Sequence, residues 1–345
     1  MIGITGYGCY VPRFRIKVAE IAKAWGKEPA EIVDSLGVLE KALAGKDEDA
    51  ITMAVEAGKN ALIRASIDKS KIGALFMGSE SHPYVVKPSG TVVAEALGLS
   101  QNLHLADLEF ACKAGTAGMQ ICNAFVRAGQ IEFGMAIGAD SAQGRPGDAL
   151  EYTAGSGAAA FIIGKNPVAT IDETISFTTD TTDFWRKEGK KYPSHAARFT
   201  GEPGYFNHLI TATKIMLEKT GTKASDFDHV VFHMPNAKFP QRVFKLFEIP
   251  KERFLSGLVV TRIGNTYSGS SMLGLCAVLD VAKPGQRILM TSYGSGAGAD
   301  SFALTVTDRI AEVQNLTKTF SDYADKKQYV DYSMYVRTRG KLNVG

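Results

Sequence analysis

Four cysteines in 345 residues, none at metal-ligand spacing from another, are too few to staple a chain of this length. That argues against a secreted disulfide framework and for a reducing compartment, the cytoplasm, where a thiolate can act as a nucleophile. Long apolar runs are also missing: no stretch approaches the roughly 18 residues of a membrane span. The opening segment MIGITGYGCYVPRF reads as a strand entering a loop and lacks the pattern of a signal peptide. Charge of one sign is scarce, with a net value of only +3, so nothing calls for nucleic acid. Local Lys and Arg remain available for a phosphorylated ligand. No Walker loop, dinucleotide fingerprint or zinc spacing is present, so neither a metal nor a permanently bound cofactor is expected.

What the chain does have is an internal duplication, and that decides its architecture. Ile67-Asp68-Lys69-Ser70-Lys71-Ile72 before Ala74-Leu75-Phe76-Met77 resembles Thr222-Lys223-Ala224-Ser225-Asp226-Phe227 before His229-Val230-Val231-Phe232. Each copy follows a helical pattern, Ala50 to Ala65 and Tyr205 to Thr220. At nearly the same offset a small-residue helix from Cys112 to Ala128 matches one from Tyr267 to Ala282. Both then reach a Gly-Gln pair, Gly129-Gln130 and Gly285-Gln286, before an apolar strand. The halves close alike: Gly155-Ser156-Gly157-Ala158 leads to Phe161-Ile162-Ile163, and Gly294-Ser295-Gly296-Ala297 leads to Phe302-Ala303-Leu304. The reading is an α/β fold of two halves, 1–166 and 167–345, each a mostly parallel sheet covered by helices. The active site belongs where they meet. Additional loops run from Ala139 to Ala154 and from Phe177 to Gly204. The Tyr-rich tail beyond Asp308 reads as a packing or partner surface.

Five positions could carry chemistry. Cys112 sits where an extended segment turns into a helix, a place that favours the thiolate and lowers a thiol pKa. The same segment fits a structural cysteine buried in a Gly/Ala helix, as Cys9, Cys122 and Cys276 are expected to be. Glu80 follows the apolar strand Ile72 to Met77, at the strand end where open α/β sheets bind ligands, and partial burial there would suit it to proton transfer. By itself such a residue is more often a solvated loop residue. His233 holds the matching strand end of the second half, so the duplication places it opposite Glu80. Asn265 offers an amide donor, or a turn cap. Gly294-Ser295-Gly296 offers a backbone N–H for half of an oxyanion hole, with the Cys112 N–H as the other half. Beyond these, Lys238 and Arg242 share one helix face, which suits either phosphates or solvent.

Cys112, His233 and Asn265 in that order, on a duplicated α/β chain with a late Gly-Ser-Gly loop, resemble the thiolase superfamily. The details are similar to the hydroxymethylglutaryl-CoA synthase family, particularly its short archaeal form. The motifs are Ser79-Glu80-Ser81, Ala111-Cys112, Asp183-Phe184-Trp185-Arg186, Lys191-Tyr192-Pro193, Phe232-His233-Met234-Pro235, Gly264-Asn265-Thr266-Tyr267-Ser268-Gly269-Ser270 and Ser292-Tyr293-Gly294-Ser295-Gly296. The resemblance implies a thiolase-like α-β-α-β-α layering and an acyltransferase of the mevalonate pathway, with coenzyme A thioesters as substrates. Cys112 would take the acetyl group of acetyl-CoA, and Glu80 would then remove a methyl proton. The carbanion would attack acetoacetyl-CoA, whose ketone oxygen His233 and Asn265 would bind and protonate. Water would then release hydroxymethylglutaryl-CoA. The resemblance further implies substrate contacts at Glu28, Pro29, Thr153, Thr200 and Ser295, and coenzyme A contacts at Arg198, Lys238 and Arg242. It implies a homodimer core, assembled with acetoacetyl-CoA thiolase and a zinc-ribbon/OB-fold scaffold protein. The chain departs from the bacterial pattern at Phe110, which stands where Glu precedes Ala-Cys, and at Lys27-Glu28-Pro29-Ala30, where an Asp is usual.

Two other readings use the same residues. A ketoacyl-acyl carrier protein synthase III would need Cys112, His233 and Asn265 but not Glu80 as base. A non-catalytic thiolase-fold subunit would bind coenzyme A or scaffold a partner without becoming acylated.

Overall fold

A computed structural model describes residues 1–141, 144–296 and 298–340. Ala142 and Gln143 of the first additional loop, and Ala297 of the second closing motif, lie outside them, as does the end of the second half beyond 340. Nine strands run in the order His229–Phe232, Arg287–Thr291, Gly298–Val306, Ala169–Thr178, Ile2–Tyr10, Gly157–Lys165, Phe133–Asp140, Ile72–Gly78, His104–Leu108. The duplication is written in the pairing. In the first half Ile72–Gly78 runs parallel to Phe133–Asp140, which turns back antiparallel on Gly157–Lys165, which pairs antiparallel with Ile2–Tyr10. In the second half His229–Phe232, Arg287–Thr291, Gly298–Val306 and Ala169–Thr178 repeat those relations in that order. The two runs join through Gly3 opposite Thr170 and Ile4 opposite Ala169.

The expectation of mostly parallel halves is corrected here. Parallel pairing is confined to the outer strands of each half, and the inner strands are antiparallel. A parallel neighbour needs a long crossover, whereas the turn after Thr291 returns the chain within a few residues, and such a turn can only make an antiparallel partner.

Five layers result. The Ala50–Ala65 helix covers the outside of the first half, entered through an Asp49–Thr52 capping box and left through Ser66 in the left-handed region at φ 52°. The Phe206–Thr220 helix covers the second half and ends at Gly221. Between the sheets lie Ala114–Arg127 and Ser270–Leu279, the latter buried at every position. Both start later than their sequence pattern predicts, because each is preceded by a single 3₁₀ turn, Ala111–Lys113 and Tyr267–Gly269. Each turn opens on a non-glycine residue at positive φ, Ala111 at 44° and Tyr267 at 50°. Such residues store on the order of 1–3 kcal/mol each and persist only where packing enforces them.

The tail does not stay with the second half. Gln328–Tyr329 adds a parallel strand to Phe14–Lys17, which pairs antiparallel with Glu40–Leu43, and the Tyr332–Thr338 helix follows with Tyr335 fully buried. No helix among the described residues is long and apolar enough to cross a membrane.

The central layer closes tightly where Gly138 faces the second half. A Cβ there would stand 2.4 Å from the Ser268 carbonyl oxygen. Gly138→Ala should therefore lower stability by about 1–3 kcal/mol, read as a lower midpoint in urea. An unchanged midpoint would mean that the two halves have room to spare.

Candidate active site

Three backbone features bring the candidate residues together. The strand Ile72–Gly78 ends at Ser79-Glu80-Ser81, the strained turn at Ala111 presents Cys112, and the matching turn at Tyr267 presents Ser268. Asp140, at the end of the neighbouring strand Phe133–Asp140, ties the first and the third of these together, and Cys112 joins them through Glu80. One carboxylate oxygen accepts from Ser79 Oγ at 2.9 Å, Glu80 N at 2.7 Å and Ser81 Oγ at 2.7 Å. The other accepts from Ser268 N at 2.9 Å and Ser268 Oγ at 2.6 Å. The side chain is wholly buried, so its charge is tolerated only through those donors.

The central contact is Cys112 Sγ donating to Glu80 Oε1 at 2.9 Å. Burial and the nearby Asp140 push the Glu80 carboxyl up to about 8, against the opposing influence of the Cys112 hydrogen bond and of Arg186. Arg186 also donates to the Glu80 carbonyl at 3.0 Å. Burial, Glu80 and Asp140 push the Cys112 thiol well above its ordinary range. This corrects the expectation of a thiol acidified by a helix start: the sulfur is enclosed and faces a carboxylate, and those two effects outweigh the dipole. Behind the nucleophile, Lys113 Nζ is paired with Asp300 at 3.0 and 3.1 Å, and Thr116 and Ser176 also donate to that carboxylate.

Cys112, His233 and Asn265 line one cavity of about 310 Å³, together with Thr153, Thr200 and Ser295. That volume is at the lower end for small-molecule sites and suits an acyl end rather than a whole nucleotide thioester. Phe184 and Ser295 connect it with a second lobe containing Glu80, Ala111 and Arg186. Burial alone pushes His233 down to about 3, so its imidazole is neutral, and its Nδ1 has no hydrogen-bond partner among the described residues. Asn265 Oδ1 accepts the Tyr267 N–H at 3.0 Å, which leaves its amide NH₂ as the donor. In the glycine loop, Gly294 N–H is bound to Gly298 O at 2.7 Å and Gly296 N–H to Asp183 Oδ1 at 2.6 Å. Asp183 also accepts from Tyr293 Oη at 2.9 Å and so fixes the loop from below.

Glu28 and Pro29 are not brought in. Glu28 is exposed and caps the Pro29–Leu36 helix, accepting from Ala30 N, and only Leu36 of that helix reaches the cavity. Arg198, Lys238 and Arg242 are exposed and flank cavity residues in sequence. Arg242 is paired with Glu202 at 3.2 Å and lies 4.3 Å over the Phe206 ring. Asp140 escaped the sequence reading, although a carboxylate closing the wholly buried run Phe133–Asp140 was a usable signal. Among the described residues no cluster of three or more His, Cys, Asp or Glu could hold a metal.

A buried thiol against a carboxylate, with an imidazole and a carboxamide across the cavity of a duplicated five-layer fold, defines the thiolase-like class of acyl-condensing enzymes. The chain is 58% identical over 342 residues to the hydroxymethylglutaryl-CoA synthase of Archaeoglobus fulgidus, covering 99% of each. It is 56% identical over 345 residues to that of Methanocaldococcus jannaschii, covering 100% of each. The chain belongs to the hydroxymethylglutaryl-CoA synthase family. Residues 217–306 also match the family described as 3-oxoacyl-[acyl-carrier-protein (ACP)] synthase III C terminal. Among solved structures, a synthase of the family complexed with CoA superimposes with a TM-score of 0.89 at 24% identity, covering 98% of this chain and 90% of that one. MvaS in complex with 3-hydroxy-3-methylglutaryl coenzyme A gives 0.90 at 23% identity, covering 98% and 91%. At such identities these two establish the shared fold.

Because only the thiolate reacts, alkylation of Cys112 by iodoacetamide should keep rising beyond pH 9, the ordinary thiol value, without a neutral plateau. Glu80→Gln removes a negative neighbour and should shift that rise to lower pH. Peptide mass spectrometry checks both, and a plateau near neutrality would contradict the electrostatics described.

Proposed function

We propose that the chain condenses acetyl-CoA with acetoacetyl-CoA and water to give (3S)-3-hydroxy-3-methylglutaryl-CoA and coenzyme A, through an acetyl-Cys112 thioester. The contact between Cys112 Sγ and Glu80 Oε1 carries this reading. The sulfur attacks the acetyl carbonyl while Glu80 takes its proton and passes it to the departing coenzyme A sulfur. Glu80, again a carboxylate, removes a methyl proton from the acetyl group. The Cys112 and Ser295 N–H groups hold the enolate oxygen, since the Gly294 and Gly296 amides are already engaged. The carbon attacks the ketone of acetoacetyl-CoA, and His233 and Asn265 hold its oxygen.

One role differs from the sequence expectation. Burial pushes His233 down to about 3, so it is neutral at rest, and in this scheme it serves as a hydrogen-bond donor to the ketone oxygen rather than as the proton source. That proton comes from Glu80, which has just received one and whose pKa of about 8 allows it to give it back. Glu80 then activates the water that hydrolyses the enzyme thioester. Thr153, Thr200 and Ser295 contact substrate in this scheme. Arg198, Lys238 and Arg242 serve the coenzyme A phosphates at the mouth.

The proposal extends to two duplicated units, 1–166 and 167–345, and to a homodimer that works in the cytoplasm within the mevalonate pathway. It also includes assembly with acetoacetyl-CoA thiolase and a zinc-ribbon/OB-fold scaffold protein. These statements rest on resemblance to the archaeal family members. The match of residues 217–306 to the synthase III family favours a second reading, condensation with a malonyl-acyl carrier protein. Such an enzyme has no use for a carboxylate hydrogen-bonded to its thiol.

Incubation with acetyl-CoA should add one acetyl group to the intact protein, lost in Cys112→Ala. Glu80→Ala should still acetylate, more slowly, while condensation with acetoacetyl-CoA falls by about a thousandfold. Normal condensation in Glu80→Ala removes it as the base. Product with malonyl-acyl carrier protein alone favours the second reading, and absence of any adduct in the wild type favours a non-catalytic subunit.

A further inference from the structure

We propose that Glu151 is a positioning residue for the acyl cavity, clamping the Ala149–Thr153 helix to Trp25 and to the C-terminal helix so that Asn265 is held at its place. The role rests on the reaction proposed above. A helix of five residues has no stability of its own, so its position must be imposed from outside. Asp148 caps its start through Leu150 N at 2.9 Å and is itself held by His195 Nε2 at 3.1 Å. One side of the helix, Ala149, Leu150 and Thr153, lines the cavity beside Cys112 and His233. Glu151 is fully buried and makes its contacts with a separate set of residues.

Its carboxylate is satisfied by three donors from three parts of the chain. Oε2 accepts from Trp25 Nε1 at 2.9 Å and Gly147 N at 2.8 Å, and Oε1 accepts from Tyr332 Oη at 3.1 Å. Trp25 and Tyr332 also meet edge to face at 6.3 Å. The Lys41 ammonium bonds the Glu151 carbonyl and donates to Tyr335 Oη at 3.1 Å, so two phenols of the Tyr332–Thr338 helix serve this one turn. A buried carboxylate stripped of such donors is expensive, and its helix must move to water or find new ones.

The turn then hands its position to the second half. Asn265 N donates to Thr153 O at 2.7 Å, and Gly155 N donates to Asn265 O at 2.8 Å. Both main-chain groups of Asn265 are therefore fixed by residues next to the clamped helix. A shift of Glu151 becomes a shift of the Asn265 amide and of Thr153, while the Cys112–Glu80 contact stands on Asp140 and is left in place. The Tyr-rich tail thus reaches the chemistry from behind.

Glu151→Ala, Glu151→Gln and Tyr332→Phe in the full chain test the clamp, with acetylation of Cys112 and condensation with acetoacetyl-CoA measured separately. Glu151→Ala should acetylate within about twofold of wild type, while the KM for acetoacetyl-CoA rises and condensation falls by on the order of tenfold. Glu151→Gln should restore both, because its amide oxygen serves Trp25 and Gly147 and its NH₂ donates to Tyr332 Oη. Tyr332→Phe, with one hydrogen bond fewer and little burden on folding, should show the same split in weaker form. Equal losses in both steps that follow a lowered Tm would make Glu151 merely structural and overturn the proposal. Unchanged condensation in Glu151→Ala, or failure of Gln to restore it, would do the same. If Glu151→Ala does not fold, Tyr332→Phe decides between these outcomes. Wild-type protein that takes no acetyl group sinks the underlying reaction, and this role with it, before any variant is compared.

Discussion

A single buried carboxylate holds this site together. Asp140 accepts hydrogen bonds from Ser79, Glu80 and Ser81 of the first half and from both N and Oγ of Ser268 in the second. Removing a carboxylate from water is costly, and an arrangement of this kind persists only when every donor is in place. Asp140 therefore demands that the segment 79–81 of one half meet the turn of the other that opens on Tyr267 at positive φ. The small residues of the central layer serve that demand, since a side chain at Gly138 would hold Ser268 away.

The same carboxylate tunes what it builds. Its charge adds to burial in raising Glu80 to about 8 and in raising the Cys112 thiol. Burial also lowers His233 to about 3. Enclosure disfavours the charged forms of Cys112 and His233, so the resting site holds a neutral thiol, a neutral imidazole and one carboxyl poised near neutrality, beside an Asp140 carboxylate held by its five donors. Such a cleft suits chemistry in which charge appears briefly, on a sulfur or an enolate oxygen, and is met by donors already oriented. Glu80 is the group whose affinity for a proton lies close enough to neutral pH to give and take it repeatedly.

Much of this was readable in the residues, and the exceptions have physical causes. The duplication was visible because paired helices and glycine closures recur in order, and the Ala50–Ala65 helix has the expected bounds. Cys112, Glu80, His233 and Asn265 were recognisable because each ends or begins an apolar element at a corresponding place. Strand direction was misread, since hydrophobic runs look alike in buried parallel and antiparallel strands. The thiol was misjudged because a helix start is visible in a sequence while enclosure beside a carboxylate is not. Glu28 is suggested as a substrate contact only through resemblance; in the structure its exposed carboxylate caps a helix. Asp140 closes an apolar run that marks it as buried, but its donors, like the Trp25 and Tyr332 donors of Glu151, come from segments remote in sequence, and nothing local shows either acid to be satisfied.

Glu80 shares a hydrogen bond with Cys112 in a site enclosed enough to hold its proton near neutrality. Infrared difference spectroscopy of the protein across pH tests it directly, by following the band of a protonated carboxyl group. The band should titrate with a midpoint near pH 8 and be absent in Glu80→Gln. In Cys112→Ala the midpoint should move higher still, because the thiol hydrogen bond favours the carboxylate. A Glu80 band titrating in the ordinary carboxyl range, or one indifferent to the loss of Cys112, would contradict it.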